Sequence, residues 1–192
     1  MQEKGFTLIE LLVVIAILTV LSVAVILTLN PAQMIKQARD SQRASDMSTL
    51  RSAIALYLQD VASPSIGAAN TCYGSAPATP NSAGCGGRMS ASDSTVSTTT
   101  AASSSNTTGV GWIPINFAAI SSGSPLGSEP VDPINNATYF YSYATNASSS
   151  FEFEIDAHME STKYAASGTA DIESTDGGTN PAAYEVGTKL SL

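Results

Sequence analysis

The chain has 192 residues, and its 16 acidic and 8 basic side chains give it a formal net charge of −8. Phosphates repel an acidic chain, so no nucleic acid is expected among its partners. One histidine and two cysteines supply too few of the nitrogen and sulfur ligands that a zinc site needs. Since no nucleophile motif or phosphate-binding glycine loop is found either, the sequence predicts a protein that is not an enzyme and has no resident cofactor.

The N-terminal part of the chain is strongly apolar. Residues 6–29 include one charged side chain, that of Glu10. As a helix this segment would extend about 36 Å, enough to cross the hydrocarbon core of a bilayer. A helix in the core of a soluble domain is rarely so long and so apolar on all sides. Residues 6–29 are therefore predicted to form one transmembrane helix.

An amphipathic helix is predicted to follow over residues 30–62. Its apolar positions alternate in steps of three and four, which is one stripe of a helix. Pro31 is expected to kink or melt the helix where the two segments meet. The stripe consists of Met47, Leu50, Ile54, Tyr57 and Val61.

Residues 63–109 form a region of different composition, rich in serine and threonine. In the segment Ser90–Thr108, 13 of 19 residues are Ser or Thr, so it is predicted to be a long exposed loop. Cys72 and Cys85 lie outside the membrane segment. In an oxidising compartment they are predicted to form one disulfide, the alternatives being free thiols or another pairing.

Residues 110–192 are predicted to form a small antiparallel sheet with C-terminal loops. Strand patterns occur at residues 138–145, 151–160 and 183–190. In the second of these, apolar side chains alternate strictly with charged ones, which is typical of a strand with one buried and one solvated face. The side chains expected to face solvent are accordingly those of Glu152, Glu154, Asp156, His158 and Glu160.

The segment KGFTLIELLVVIAIL at residues 4–18 resembles the class III signal of type IV pilins and type II secretion pseudopilins. The resemblance implies cleavage after Gly5 by a membrane prepilin peptidase, which would remove residues 1–5 as a leader. It also implies N-methylation of the new terminal residue, Phe6. The implied fold is α+β, with the long N-terminal helix packed on the small antiparallel sheet.

Glu10 is the residue for which the resemblance implies a role in assembly. A carboxylate inside a bilayer costs about 2.5–3.5 kcal/mol, so an acid there is a functional hypothesis by default. In this family the glutamate at this position pairs with the terminal amine of a neighbouring subunit, here that of Phe6. The alternative is an acid that reaches the edge of the bilayer.

The implied function is that of a structural subunit that polymerises with itself into a type IV pilus-like filament through its apolar helix. It would begin as a single-pass protein of the cytoplasmic membrane and end in an extracellular or periplasmic filament. The implied partners are the prepilin peptidase and an inner-membrane assembly platform with its motor. The alternatives are a type II secretion pseudopilin that forms a short periplasmic filament, and a minor pilin that acts as a membrane-anchored adhesion or binding module.

Two distal segments extend the resemblance to the major, G-type pseudopilins. The turn at residues 125–136 precedes the aromatic run TYFYSY, as it does in that group. The acidic turn near residue 176 is similar to a calcium-binding loop of those proteins, with Asp171, Glu173 and Asp176 as oxygen ligands. A solvated acidic turn without an ion is the alternative.

Overall fold

The computed structural model describes residues 5–69, 71–76, 83–89, 97–99, 104–146 and 150–192. The chain divides into two compact units, Met1–Lys36 and Gln37–Leu192. The first unit contains the apolar helix, and the second contains a small sheet with most of a second helix. The predicted α+β fold class is confirmed.

Helix α1 spans Leu8–Leu29. Its stretch Leu8–Ile26 is long and apolar enough to cross a membrane, and none of it is buried within the chain. Side chains such as Val20, with 71% of its surface exposed, therefore contact no core of their own. The predicted apolar helix is confirmed.

Asn30 separates the two helices. Its backbone is left-handed, with φ 43° and ψ 70°, a conformation that asparagine tolerates better than most residues. Helix α2 then begins at Pro31 and spans Pro31–Asp60. Proline suits a first helical position because its ring fixes φ and no backbone N–H is needed there. The predicted disruption thus lies one residue earlier, since Pro31 starts a helix rather than interrupting one.

Within the second unit, α2 presents the predicted apolar stripe to the core. Met47, Leu50, Ile54 and Tyr57 are buried, and Val61 packs against the same cluster from just beyond the helix end. The hydroxyl of Tyr57 also accepts a hydrogen bond from the backbone N–H of Ser65 at 3.0 Å. This bond fixes the chain as it leaves the helix.

The sheet has the strand order β2-β1-β3-β4-β5. Strands β1, β3, β4 and β5 pair antiparallel, whereas β2 adds to the edge of β1 in parallel. A short helix, α3, lies between β1 and β2, and a 3₁₀ turn at Phe117–Ala119 precedes β3. The elements are β1 Thr71–Gly74, α3 Ala83–Gly87, β2 Ser97–Thr99, β3 Tyr141–Thr145, β4 Phe153–Ala157 and β5 Tyr184–Gly187.

The sheet buries both of its faces. The near face carries Tyr141, Tyr143, Phe153, Ile155 and Val186, which share one buried cluster with the α2 stripe. The far face is covered by a second, smaller cluster that includes the residues Cys72, Cys85, Met89, Phe140 and Leu192.

The burial of the far face corrects one prediction. Glu154 and Asp156 were expected to face solvent, yet both are completely buried. The alternation along β4 is real, but segments distant in sequence cover the side that the pattern marks as solvated. Two strands also differ from the prediction, because β1 and β2 lie within residues 63–109, which were predicted to be a loop region. Residues 90–96 and 100–103 of that region are outside the described residues.

A buried ion-pair network joins α2 to the rest of the second unit, Gln37–Leu192, which is called the sheet domain below. The Arg43 guanidinium contacts Asp132 through Nε at 2.7 Å and Nη2 at 3.0 Å, and its Nη1 lies 2.7 Å from Asp40. Asp40 in turn accepts the backbone N–H groups of Glu160 at 2.9 Å and Ser161 at 2.8 Å. These contacts join the helix to the chain before β3 and after β4.

Candidate functional site

The predicted processing site lies at the start of the described chain. Phe6 is 87% exposed, and among the described residues, apart from its chain neighbours, none has a heavy atom within 4 Å of the position that a Cβ would occupy on Gly5. Residues 1–4 of the predicted leader lie outside the described residues. Within the part of the chain that the structure describes, nothing therefore covers the C-terminal side of the Gly5–Phe6 bond, and cleavage there remains a prediction.

Thr7 and Glu10 form a capping box at the first turn of α1. The Thr7 backbone N–H and hydroxyl donate to Glu10 Oε2 at 2.9 and 2.7 Å. The Glu10 backbone N–H donates to the Thr7 hydroxyl at 3.3 Å. This reciprocal pattern satisfies helix N–H groups that have no partner inside the helix. It also shows why a threonine three residues before Glu10 starts the helix here.

The same box fixes the orientation of the one acidic side chain in α1. Both bonds from Thr7 go to Oε2 of Glu10, and the helix around it exposes Ile9, Val13 and Val14. These donors are neutral, so the negative charge is held in place but not compensated. An apolar environment would favour pairing this carboxylate with a cation, because an unpaired buried charge is costly.

The two cysteines form the predicted disulfide. Cys72 lies on β1 and Cys85 on α3, with Cα atoms 5.8 Å apart. Both are buried in the cluster on the far face of the sheet. The bond is thus part of the packing beneath the sheet and not an exposed loop closure.

The predicted calcium ligands hold local loop structure in place. Asp171 accepts the backbone N–H groups of Ser167, Glu173 and Ser174. Glu173 accepts those of Met159 at 2.6 Å and Ala166 at 2.8 Å. Asp176 accepts those of Gly178 and Glu185. The carboxylates are therefore occupied by loop N–H groups, and a calcium site at these residues remains a prediction.

A different set of acids comes together beneath the sheet. Glu154, Asp156 and Glu185 are buried, and one oxygen of each lies within 4.8 Å of the others. The sequence predicts Glu154 and Asp156 on a solvated face and places Glu185 on the third strand pattern, without a role at a site. The alternation of polar and apolar residues along β4 and β5 could have predicted this cluster, because the three acids lie on one face of the sheet once the two strands pair.

His158 corrects a second prediction of exposure. It follows β4 and is half-buried, and burial lowers its pKa to about 4, with the charge of Arg88 acting in the same direction. The imidazole is therefore neutral at neutral pH. A solvated surface histidine would not show this shift.

The family comparison agrees with the N-terminal geometry. Residues 1–26 match the family model described as the prokaryotic N-terminal methylation motif. Neither a curated protein nor a solved structure matches the chain. The chain therefore carries the N-terminal signature that type IV pilins and pseudopilins share, and the resemblance drawn from residues 4–18 is confirmed. Together, motif and helix indicate a membrane-anchored N-terminus of the kind found in structural subunits.

Proposed function

We propose that this protein is a type IV pilin-like structural subunit that polymerises through α1. The observation that carries the proposal is a methylation motif that runs directly into an apolar helix with no buried residue in its membrane-length stretch. A surface of this kind needs an apolar environment. The bilayer supplies it before assembly, and the same helices of neighbouring subunits supply it in the filament.

Processing precedes assembly in this scheme. A prepilin peptidase cleaves after Gly5, and the amine of Phe6 becomes the N-terminus and is methylated. That amine is a cation at the end of an apolar helix. Its partner is the Glu10 carboxylate of a neighbouring subunit, which the capping box already orients. An inner-membrane assembly platform and motor move the subunit from the membrane into an extracellular or periplasmic filament.

The function is tested with the substitution Glu10→Val in the full-length chain. We expect membrane insertion to be unchanged, because the variant helix is more apolar, and filament yield to fall at least tenfold. Thr19→Val is the matched control, since it also replaces a polar side chain of α1, one whose hydroxyl donates to the Ile15 carbonyl of the same helix. Filaments are counted by electron microscopy after immunogold labelling.

Two outcomes would contradict the proposal. Normal filaments from Glu10→Val would remove the charge pair from the assembly mechanism. Mass spectrometry that finds Met1 retained, rather than a methylated Phe6 terminus, would exclude processing. The length and location of the labelled filaments also distinguish the alternatives: long surface filaments indicate a pilus, and a short periplasmic structure with a secretion defect on deletion indicates a pseudopilus.

A further inference from the structure

The acidic cluster, defined as Glu154, Asp156 and Glu185, lies on the far face of the sheet. Strand register brings its members together, because Asp156 pairs with Glu185 across β4 and β5, and Glu154 is two residues away on the same face. All three side chains are buried. Three carboxylates so close together and shielded from water are strongly unfavourable unless something compensates their charge.

Hydrogen bonds compensate part of that charge. Glu154 Oε2 accepts the backbone N–H of Leu192 at 2.8 Å. Glu185 accepts the backbone N–H groups of Thr179 at 3.3 Å and Asn180 at 2.9 Å. Asp156 differs from both. Among the described residues, no N–H or hydroxyl group donates to either of its oxygens, although the residue is completely buried, and its carboxyl group contacts that of Glu154.

The Ser142 hydroxyl is a second, independent group without a partner. Ser142 pairs directly with Asp156 across β3 and β4, so its side chain projects from the same face beside the cluster. It is completely buried, and its Oγ makes no hydrogen bond to any described residue. Buried polar atoms nearly always have a partner, so several orphaned oxygens at one point indicate a ligand that satisfies them.

Charge identifies the class of ligand. Arg88 is the cation that interacts electrostatically with Asp156, but its Nη atoms donate to the carbonyls of Phe140 and Thr138, each at 2.6 Å. When all three carboxyl groups of the acidic cluster are ionised, their charge exceeds that of Arg88 by two.

We propose that the acidic cluster binds one divalent cation of the calcium class, with the Ser142 hydroxyl as a further ligand. Calcium binds six to eight oxygen atoms and accepts carboxylates with one or both oxygens, which suits this mixed set. The absence of a nitrogen or sulfur ligand in the set disfavours zinc. The ion would connect β3, β4 and β5 on the far face of the sheet, because each of these strands contributes at least one ligand residue.

The test uses the full chain in detergent, treated with EDTA and then titrated with CaCl₂. We expect one ion to bind per chain and saturating calcium to raise the unfolding temperature by about 5 °C, measured by near-UV circular dichroism. Asp156→Asn should weaken binding at least tenfold and abolish the temperature shift. Ser142→Ala, which leaves all charges in place, should weaken binding about threefold.

Asp171→Asn is the matched control, because it removes a carboxylate from the acidic turn and leaves the acidic cluster unchanged. It should keep both binding and the temperature shift. A wild-type chain whose unfolding temperature does not respond to calcium overturns the proposal. So does a response that survives in Asp156→Asn or that disappears in Asp171→Asn. If Asp156→Asn does not fold, Ser142→Ala decides the question. Calcium binding and unfolding temperature are measured without filaments, so a failure of this proposal is distinguishable from a failure of the proposed function.

Discussion

Arg43 is completely buried although it carries a full charge. Its guanidinium fits because the fork of N–H donors meets both oxygens of Asp132, with Asp40 as a second acceptor. Each carboxylate is itself held by backbone N–H groups, including that of Ile134 to Asp132 at 2.8 Å. Arg43 therefore joins two carboxylates that also accept backbone hydrogen bonds. A buried ion pair is tolerated under this condition, because hydrogen bonds offset the loss of water around the charges.

Arg43→Ala should destabilise the sheet domain by about 3–5 kcal/mol, because it leaves two buried carboxylates without their cation. Urea unfolding of the full chain in detergent measures this change. Arg51→Ala is the control, since Arg51 lies on the same helix but is exposed, and it should alter stability by less than about 0.5 kcal/mol. Similar losses for both variants would show that the Arg43 network contributes little.

At the scale of elements, β1 depends on contacts from both sides. It pairs with β3 through the register Cys72↔Ala144 and with β2 through Cys72↔Thr98. It has four residues, and its link to α3 is the disulfide. Such a short strand gains little stability from its own hydrogen bonds, so the covalent bond contributes to its retention in the sheet.

Cys72→Ala combined with Cys85→Ala should lower the free energy of unfolding by about 3 kcal/mol, since the bond closes a short loop in the unfolded chain. Reductant should destabilise the wild-type chain by a similar amount. The double variant serves as its own control, because reductant should leave its unfolding midpoint unchanged. A reductant effect that persists in the variant would mean that another reaction is being measured.

At the scale of the whole molecule, buried acids give stability a defined pH dependence. Glu129 is 1% exposed, its Oε2 accepts the Ile113 N–H at 3.0 Å, and burial raises its pKa to about 8. The folded state therefore binds a proton that the unfolded chain, with a glutamate pKa of about 4.3, has already lost. Stability from this group falls as pH rises toward 8. His158 acts in the opposite direction, but only below its unfolded pKa of about 6.5.

We therefore expect the stability of the sheet domain to fall between pH 6.5 and 8 in the presence of EDTA. His158 is neutral in both states over the upper part of that interval, where the buried acids determine the slope. Glu129→Gln keeps an acceptor for the Ile113 N–H and should reduce the fall by roughly 1 kcal/mol. Urea unfolding at the two pH values measures it. Equal falls in both proteins would exclude Glu129 as a contributor.

The sequence alone predicts those features that depend on residues close to one another along the chain. The motif around Gly5 and Glu10, the apolar helix and the α2 stripe all depend on local order or on helical spacing. The alternation of apolar and charged residues along β4 is also predictable from local order, whereas the segments that cover its charged face are not. Glu154 and Asp156 are covered by segments that are distant from them in sequence, such as those around Phe140 and Leu192. The Arg43–Asp132 pair likewise joins positions 89 residues apart, which no local pattern reveals.

The disulfide also determines the covalent topology of the distal region. Because Cys72 and Cys85 are joined, a single cut by a protease anywhere between them leaves both fragments connected. The nicked chain would migrate as one band on a non-reducing gel and separate only after reduction. A cut outside residues 72–85 would release two separate polypeptides. In the proposed filament, the subunit would thus keep the part of its chain that lies beyond a nick in this interval.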